Sequence, residues 1–345
     1  MKICFFGIYD PTYPRNRILK RAFELSGHTV VECRTNKKGV GKYRDLIRKH
    51  AQIRGRYDIM FVAFPGQQAL ILARLISSKK IIFDPFFSLH MTLVDDRQKY
   101  SRVGLHAAYY YLLDLLSCHL AHAYLFDTFA HRDFFVNKFG CDPERSHRIL
   151  VGSDPSVFYP DANDSSSPHP FTVHFHGTNI PLHGVPTVLA AGKMLSAQGI
   201  QISVVGTSIK RMYEKEYPEV SFHDDVLYED LREYINRADV SIGIAGTTHK
   251  IHLVIPNKVY EAWACRKPVV TARTEAIEEI AQDGQNVLLC IPGDSNDLAR
   301  AVLSLRDDSG LAKRIGGGGY ELFMSRGTPE KIAEDLKRVI ERVIS

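Results

Sequence analysis

The chain has 345 residues, of which 45% are hydrophobic and 24% charged, and its formal net charge at pH 7 is +5. This length suits two domains of about 150 residues each, and the composition is that of a globular protein, which excludes a largely disordered chain. The longest apolar segment, Tyr109 to Phe126, is interrupted by Asp114, His119 and His122, so it lacks the roughly 20 consecutive apolar residues that cross a bilayer.

The six cysteines show neither a CxxC pair nor the spacing of a zinc site, and several lie within apolar runs. We therefore predict reduced core cysteines at Cys4, Cys33, Cys118, Cys141, Cys265 and Cys290. The N-terminus carries one lysine and a short apolar run that Asp10 ends, which is not typical of a secretory signal. These features predict a cytoplasmic protein, and a peripheral position at the inner face of a membrane stays open.

Strands and helices alternate along the first half of the chain, as a parallel sheet requires. The predicted strands are KICFFGI, TVVECR, DIMFVAF, KIIFD, AYLFD and RILVG. The predicted helices cover residues 17–26, 43–54, 67–77, 102–121 and 128–139. This alternation predicts a Rossmann-like doubly wound sheet, and dinucleotide binding is disfavoured because no GxGxxG follows the first strand.

A basic region runs from Arg34 to Arg56, where Asp45 is the one acidic residue. Its cations are Arg34, Lys37, Lys38, Lys42, Arg44, Arg48, Lys49, Arg54 and Arg56. Such a region suits an anionic membrane surface or a phosphate-bearing lipid acceptor, and a merely solvated face is the alternative. Nucleic acid is not an expected partner, because the region has few aromatic residues and no nucleic-acid-binding motif is present.

The polar segment PDANDSSSPHP, from Pro160 to Pro170, predicts a linker between a first domain of residues 1–163 and a second of residues 170–345. In the second domain the predicted strands are FTVHFHG, QISVVG, VSIGIAG, PVVTA and NVLLCI, with helices at 185–197, 228–237 and 329–343. We interpret the glycine run 316–319 as a helix stop.

The second domain contains a pattern typical of a phosphate-binding loop. The strand Val240 to Ile244 is followed by Gly246 and Thr247, where the backbone can approach a ligand closely. We predict that Asn257 is the N-cap of the next helix, so that the amides of Lys258 and Val259 face an anion.

Two side chains of this helix suit a nucleotide sugar. Glu261 lies one turn into the helix, where it can reach a sugar hydroxyl, and Lys258 adds a mobile cation. The alternatives are a solvated Lys258 and an acidic residue that merely stabilises the first helical turn. For His174 and His176, packing or donor contact is favoured over a metal site, since no carboxylate is near them in the sequence.

Four segments resemble the GT-B glycosyltransferases, and within them the retaining family 4. IPNKVYEAWACRKPVV carries their donor-site string, with Pro256, Asn257, Lys258, Glu261, Ala264, Pro268 and Val269 matching. GSDPSVFYP resembles the end of their N-terminal domain, FHGTNIPLHGV the opening of their donor domain, and FFGIYDPTYPRNRIL the start of one subgroup. The resemblance implies an α/β fold of GT-B architecture, with two Rossmann-like doubly wound domains facing each other across a cleft and the last helix packed back on the first domain.

The sequence also departs from this family's pattern. Leu253 stands where a glutamate touches the donor sugar, and Arg266 replaces a glycine. Thr178 and His183 stand where an arginine and a lysine clamp the diphosphate. The cations available as replacements are Lys250, Lys258, Arg15 and Arg17.

The resemblance implies a metal-independent hexosyltransferase without a cofactor, which moves a sugar from a nucleotide-diphosphate donor to a glycan or lipid-linked acceptor with retention. The expected donor-binding residues are Gly7, Tyr9, Arg15, Arg17, Gly177, Thr178, His183, Gly246, Thr247, Asn257 and Val259. The candidate catalytic residues are Glu261, Lys258, Lys250, Asp84 and His90, the last two as bases if the enzyme inverts. A nucleotide-sugar epimerase and a non-catalytic nucleotide-sugar binding protein are the alternatives.

Overall fold

The computed structural model describes residues 1–161 and 169–345. The chain divides into two compact units, the first formed by Met1–Val151 with Pro329–Ser345 and the second by Gly152–Thr328. Most of the predicted linker, residues 162–168, lies outside the described residues. The structural boundary falls after Val151 and not at 163, because residues 152–161 bind to the second unit: Ser153 N donates to Gly327 O at 3.0 Å, and the Phe158 ring packs edge-on against Tyr228.

The first unit contains a parallel six-stranded sheet in the order β2-β1-β3-β4-β5-β6. Its strands are β1 Lys2–Gly7, β2 Thr29–Arg34, β3 Ile59–Val62, β4 Lys80–Phe83, β5 Ala123–Phe126 and β6 Ser146–Arg148. The helices before residue 151 are α1 Pro14–Leu25, α2 Gly41–Ile53, α3 Gln67–Ile76, α4 Leu105–Leu120 and α5 Phe129–Phe139. The sixth strand ends earlier than predicted, because the carbonyls of Ile149 and Leu150 accept hydrogen bonds from Arg15.

Both faces of this sheet are buried. Along β1, Ile3 and Phe5 pack into one core cluster, whereas Cys4 and Phe6 pack into the other, as the two-residue period of a strand requires. The prediction of six reduced thiols is wrong for two of them, because Cys118 and Cys141 form a disulfide. The other four cysteines are free and buried. The end of α4 and the residue after Gly140 are brought together by the fold, which the spacing in the sequence does not reveal.

The second unit contains another parallel six-stranded sheet, in the order β12-β11-β10-β7-β8-β9. Its strands are β7 Thr172–His176, β8 Gln201–Val205, β9 Ser221–His223, β10 Val240–Ile242, β11 Val269–Ala272 and β12 Leu288–Cys290. Its helices are α6 Val185–Ser196, α7 Thr207–Tyr213, α8 Leu231–Arg237, α9 Asn257–Ala264, α10 Glu275–Glu278, α11 Ser295–Asp307 and α12 Ser309–Arg326. The strand order is that of a doubly wound dinucleotide-binding sheet, whose order reverses between β7 and β10.

The glycine run 316–319 is not a helix stop, because α12 continues through it. A Cβ atom on Gly316 would lie 2.7 Å from Arg266 O, and one on Gly319 would lie 2.7 Å from Trp263 Nε1. The glycines therefore let α12 pack closely against its neighbours, which explains their place inside a helix despite their low helix propensity.

The last helix, α13 Pro329–Ile344, belongs to the first unit. Its buried residues Ile332, Leu336, Val339 and Ile340 share a core cluster with Phe23 of α1. Ser26 Oγ also donates to Ala333 O at 3.1 Å. In the described part of the chain, no helix combines the length and the apolar character that crossing a bilayer requires.

Candidate functional site

The predicted donor residues of the second unit lie at the carboxyl ends of β7 and β10. These two strands are neighbours, with Val173 beside Val240 and His174 beside Ser241. Ligands of doubly wound sheets bind where the strand order reverses, outside the carboxyl ends of the strands. The fold therefore places Gly177, after β7, and Gly246, after β10, at the position where a ligand is expected.

Gly177 is where three elements approach each other. Its φ is +149°, and a Cβ atom here would lie 2.8 Å from the ring of His183 and 2.9 Å from Lys258 Nζ. Gly177 is one of the expected donor-binding residues, but its amide donates to Val205 O at 3.0 Å. Because Gly177 has no side chain, the imidazole of His183 and the amine of Lys258 have room beside it.

The ring of His183 is fixed by one hydrogen bond. Its Nδ1 lies 2.7 Å from the carbonyl oxygen of Thr178. Because a carbonyl oxygen can only accept, Nδ1 carries the proton and Nε2 is the open ring nitrogen. Burial, reinforced by the nearby charge of Lys258, lowers the pKa of His183 well below its usual value, so the imidazole is neutral at pH 7.

Lys258 is buried, so neither the expected mobile cation nor the alternative of a solvated lysine describes it. Its Nζ lies 4.0 Å from the centre of the Phe175 ring and has no hydrogen-bond partner among the described residues. Burial lowers the pKa of the amine to about 7, although the charge of Glu261 opposes this shift. The site therefore contains an amine that lacks an acceptor and that titrates near neutral pH.

Glu261 is held by two histidines in series. Its Oε2 is 2.9 Å from His176 Nε2, and His176 Nδ1 is 3.0 Å from His174 Nε2. Since an ionised carboxylate can only accept, the protons lie on the Nε2 atoms of both rings. A carboxylate near these histidines could not be predicted, because Glu261 is 85 residues away from His176 in the chain.

The first turn of α9 has an open N-terminus. Pro256, and not Asn257, is the N-cap, since its ψ of 151° is extended and Asn257 is already helical. Proline has no side-chain oxygen, so no side chain caps the helix. The amide of Val259, which we expected to face an anion, donates to Pro256 O at 3.0 Å. The amides of Asn257 and Lys258 lie before the first hydrogen-bonded turn of the helix and carry the positive end of its dipole. An anion is stabilised at such a position.

The remaining predicted residues of this unit surround the same strand ends. Thr247 is exposed and lies beside Gly293, whereas Gly246 and Val259 are buried. Lys250 is buried in the short 3₁₀ turn His249–His252 that follows the β10 loop. Leu253 ends this turn and is 4% exposed, so an apolar core residue stands where the resembling family 4 pattern has a glutamate.

In the first unit, Arg15 and Asp84 form a buried ion pair. Both side chains are inaccessible to solvent, and Arg15 binds the carboxylate through Nε and Nη2 at 3.1 and 3.0 Å. Nη1 of Arg15 donates to Ile149 O and Leu150 O. Burial raises the pKa of Asp84, and Arg15 opposes that rise. We predicted that Arg15 binds the donor and that Asp84 acts as a base. Because each side chain neutralises the charge of the other, the structure instead gives both a structural role.

The other predicted residues of the first unit occupy different positions. Gly7 ends β1 with a φ of +147°, and Tyr9 is buried in the core edge-on to Phe5. Arg17 is partly exposed on α1. His90 is half-buried with Nδ1 3.5 Å from Asp95, and burial together with the charge of Lys138 lowers its pKa.

The basic region of α2 is organised around Asp45. This buried carboxylate lies 3.3 Å from Lys37, 3.1 Å from Arg48 and 3.1 Å from Lys49. A hydrogen bond from Thr35, together with Lys49 and Lys37, holds the pKa of Asp45 well below its usual range. The same residues line an open depression of about 660 Å³. Membrane contact through this region stays a prediction, and three of its cations are paired with one carboxylate.

No cluster of three His, Cys, Asp or Glu side chains suited to a metal ion occurs in residues 1–161 and 169–345. The His174–His176–Glu261 series is thus a line of hydrogen bonds. In the sequence, only the alternating pair His174 and His176 at the end of a predicted strand indicated this line of hydrogen bonds.

Comparison with known proteins finds glycosyltransferases that are similar to parts of this chain. Residues 170–308 match the family model for Glycosyl transferases group 1. Two lipopolysaccharide core biosynthesis glycosyltransferases of Rhizobium meliloti (strain 1021), LpsE and LpsD, are 28% and 27% identical to this chain over 106 residues. These matches cover 31% of this chain, and the chain spans about 30% of the length of these curated relatives.

Solved structures resemble the chain over its whole length. Sucrose-phosphate synthase from Thermosynechococcus elongatus gives a TM-score of 0.79 at 15% identity and covers 99% of both chains. Anabaena HepE in complex with UDP-glucose gives a TM-score of 0.77 at 17% identity and covers 99% of this chain and 100% of its own. The chain therefore has the α/β fold of the GT-B glycosyltransferases, with one parallel six-stranded sheet in each unit.

Proposed function

We propose that the chain is a glycosyltransferase that moves a sugar from a nucleoside diphosphate sugar to a glycan or lipid-linked acceptor. The observation that carries this proposal is the amine of Lys258, which is buried beside the open start of α9 and lacks an acceptor. Burying such a group costs free energy unless a partner is supplied. A diphosphate supplies the acceptor atoms and the negative charge that this position lacks.

Lys258 and α9 act on the leaving group. When the bond between the sugar and the diphosphate breaks, negative charge accumulates on the phosphate oxygens. Protonated Lys258 and the first amides of α9 stabilise that charge in a buried position, where electrostatic interactions are stronger than in water. The amine thereby replaces the clamp residues that Thr178 and His183 do not provide.

Glu261 orients the donor. Its carboxylate is fixed by His176, and the ring of His176 is fixed in turn by His174. A carboxylate held in this way accepts a hydrogen bond from a ribose or sugar hydroxyl without losing side-chain entropy on binding. This role is supported by the resemblance of the α9 string to family 4.

The finer features of the reaction are also proposals. We propose retention of the anomeric configuration. In a retaining reaction the leaving phosphate can take the proton of the acceptor, so no protein base is needed. This agrees with Asp84, a candidate base, being paired with Arg15. We further propose that a hexose is transferred, that no metal takes part, and that the product belongs to polysaccharide or glycolipid biosynthesis. The names of LpsE and LpsD support this last point, and the complex of HepE with UDP-glucose supports a UDP donor.

A second candidate function is a non-catalytic nucleotide-sugar binding protein. The observation that favours it is Leu253, buried where the family has a glutamate that touches the sugar. Such a protein keeps the Lys258 anion site and lacks turnover.

The test measures ligand-induced thermal shifts and slow donor hydrolysis with UDP-, GDP- and ADP-sugars, with and without EDTA. We expect one donor series to stabilise the protein and to be hydrolysed, with no effect of EDTA. Lys258→Met is expected to weaken binding by about tenfold or more, since a charge-assisted contact contributes about 1.5–3 kcal/mol. Lys193→Met, at an exposed lysine of α6, is the matched control and should leave binding unchanged.

Three outcomes separate the alternatives. No response to any nucleotide sugar, or an undiminished response in Lys258→Met, contradicts the proposed donor site. Binding without hydrolysis or transfer to any acceptor identifies a binding protein. Conversion of the donor into another nucleotide sugar without an acceptor identifies an epimerase, and the anomeric configuration of a transferred sugar, read by NMR, decides retention.

A further inference from the structure

Helix α4 has an apolar row on its solvent-facing side. Leu105, Tyr109, Leu112 and Leu116 are spaced by four, three and four residues, which places them on one side of a helix. They are 89%, 46%, 49% and 40% exposed, and Val103, just before the helix, is 88% exposed. Within the described residues this row stays accessible to solvent, although Gln68 Nε2 of α3 donates to Tyr109 Oη at 3.0 Å.

The charge pattern of α4 is unusual for a surface helix. Among residues 105–120 there is no lysine or arginine, and the one acidic residue, Asp114, is buried. Its carboxylate accepts hydrogen bonds from Ser88 Oγ at 2.7 Å and from the amide of His90 at 2.8 Å, and burial raises its pKa to about 6. A helix at a water-exposed surface normally carries charged residues on its outer side, so the outer side of α4 is suited to an apolar environment.

Cations lie directly before this row. Arg97, Lys99 and Arg102 are exposed on the segment that leads into α4, next to the exposed side chains of Val103 and Leu105. Arg102 approaches Asp95 at 3.5 Å and remains 75% exposed. Exposed apolar side chains beside exposed cations match the two parts of an anionic lipid surface, its acyl boundary and its headgroups.

We propose that the α4 surface, formed by the segment 97–104 and the outer row of α4, docks on an anionic lipid bilayer. With 16 residues, α4 is about 24 Å long, which suits a helix lying in the plane of the interface. A second copy of the chain fits less well, because symmetric pairing of this surface brings like cations together. The proposal does not depend on the donor site.

The basic region of α2 is the competing surface for the same partner. Its cations Lys37, Arg48 and Lys49 are paired with the buried Asp45. Exposed apolar side chains there are limited to Val40 and Ile47, which do not form a row comparable to that of α4. We therefore assign bilayer binding to the α4 surface, where apolar side chains can insert and cations can attract the headgroups.

The test is co-sedimentation of the full chain with vesicles of phosphatidylcholine alone and of equal parts of phosphatidylcholine and phosphatidylglycerol. We expect binding to the anionic vesicles that weakens as salt is raised. The double variant Leu105→Ser with Leu112→Ser should weaken binding by about tenfold or more, because two apolar side chains no longer leave water. The double variant Arg97→Glu with Lys99→Glu should weaken it as well.

Matched variants make the result specific. Leu75→Ser and Leu227→Ser change leucines that are 79% and 71% exposed elsewhere, and Arg48→Glu with Lys49→Glu changes α2. All three should bind vesicles like the unmodified chain. Absence of binding to anionic vesicles, binding that survives the leucine changes on α4, or loss confined to the α2 variant overturns the proposal. Sedimentation velocity tests a second copy of the chain as the partner. A dimer that does not bind vesicles, and that the leucine changes on α4 dissociate, would assign the surface to a second copy and contradict the proposal.

Discussion

The buried amine of Lys258 lowers the stability of the unit that contains it. Its pKa falls from the usual value of 10.5 to about 7 on folding. Between these two values the unfolded chain binds more protons than the folded chain, so the free energy of unfolding rises with pH over this window. The penalty is therefore fully present at and below about pH 7 and disappears above the unfolded pKa.

Lys258→Met is expected to stabilise the ligand-free protein while it weakens donor binding. Methionine has a similar length and no charge to desolvate, so the gain in the free energy of unfolding at pH 7 should be about 1–4 kcal/mol. The gain should shrink as the pH is raised toward 10. Melting temperatures of the ligand-free protein between pH 7 and 10, with Lys193→Met as the control, measure this effect. A destabilised variant, or a gain that does not change with pH, would contradict the buried, unpaired amine.

Individual site residues were predictable only where a local pattern contains them. Lys258 and Glu261 lie three residues apart in a string that resembles a family, so the sequence pointed to both. The contact of Glu261 with His176 depends on how α9 packs against the end of β7, and the pairing of Arg15 with Asp84 joins positions 69 residues apart. No local pattern reports such pairings, which is why Arg15 was expected to be available to a ligand.

At the scale of elements, α12 shows how packing overrides intrinsic propensity. Its glycines lower helix propensity, yet the helix continues through them and packs closely against its neighbours, which leave no room for a Cβ atom at Gly316, Gly318 or Gly319. Gly317 differs from the others, since nothing lies within 4 Å of a Cβ atom placed there. The four consecutive glycines therefore serve different purposes.

Alanine substitutions distinguish these purposes. Gly317→Ala should raise the free energy of unfolding by about 0.5–1 kcal/mol, because alanine is the better helix former and its methyl group meets open space. Gly319→Ala should lower it by about 1–3 kcal/mol, because the methyl group collides with the buried Trp263 ring. Thermal denaturation of the two variants is the measurement. Equal effects of the same sign would refute the packing explanation.

Most strands were predictable because they are runs of apolar, β-branched or aromatic residues buried on both faces of a parallel sheet. The edge strand β9 escaped prediction, since Ser221–His223 has only one large apolar residue, Phe222. The glycine run was misinterpreted for a related reason. A stop signal and a close helix contact have the same sequence pattern, and only the neighbouring atoms distinguish them.

At the scale of the whole molecule, the second unit is one continuous stretch of chain, whereas the first unit needs both ends. The apolar side of α13 completes the core of the first unit through residues such as Leu336 and Ile340, packed with Leu19 of α1. Burial of each such side chain contributes about 1.5–3 kcal/mol, so the loss of α13 removes more free energy than a typical domain has in reserve.

Two fragments test this division. Residues 152–328 should fold alone and retain the nucleotide response of the full chain, because this unit contains Lys258, Glu261 and the start of α9. Residues 1–151 should be poorly folded, and joining residues 329–345 to them through a glycine-serine linker should restore cooperative unfolding. Circular dichroism during heating reports both results. A stable fragment 1–151, or an unfolded fragment 152–328, would show that the units are divided differently.

The return of α13 to the first unit also bears on biosynthesis. A ribosome translates residues 152–328 before it reaches this helix, so the second unit can finish folding while the first still exposes the apolar side of α1. During that interval the nascent protein presents Leu19 and Phe23 to solvent or to a chaperone. Translation speed through the last third of the message should therefore influence how much of the protein reaches its native state.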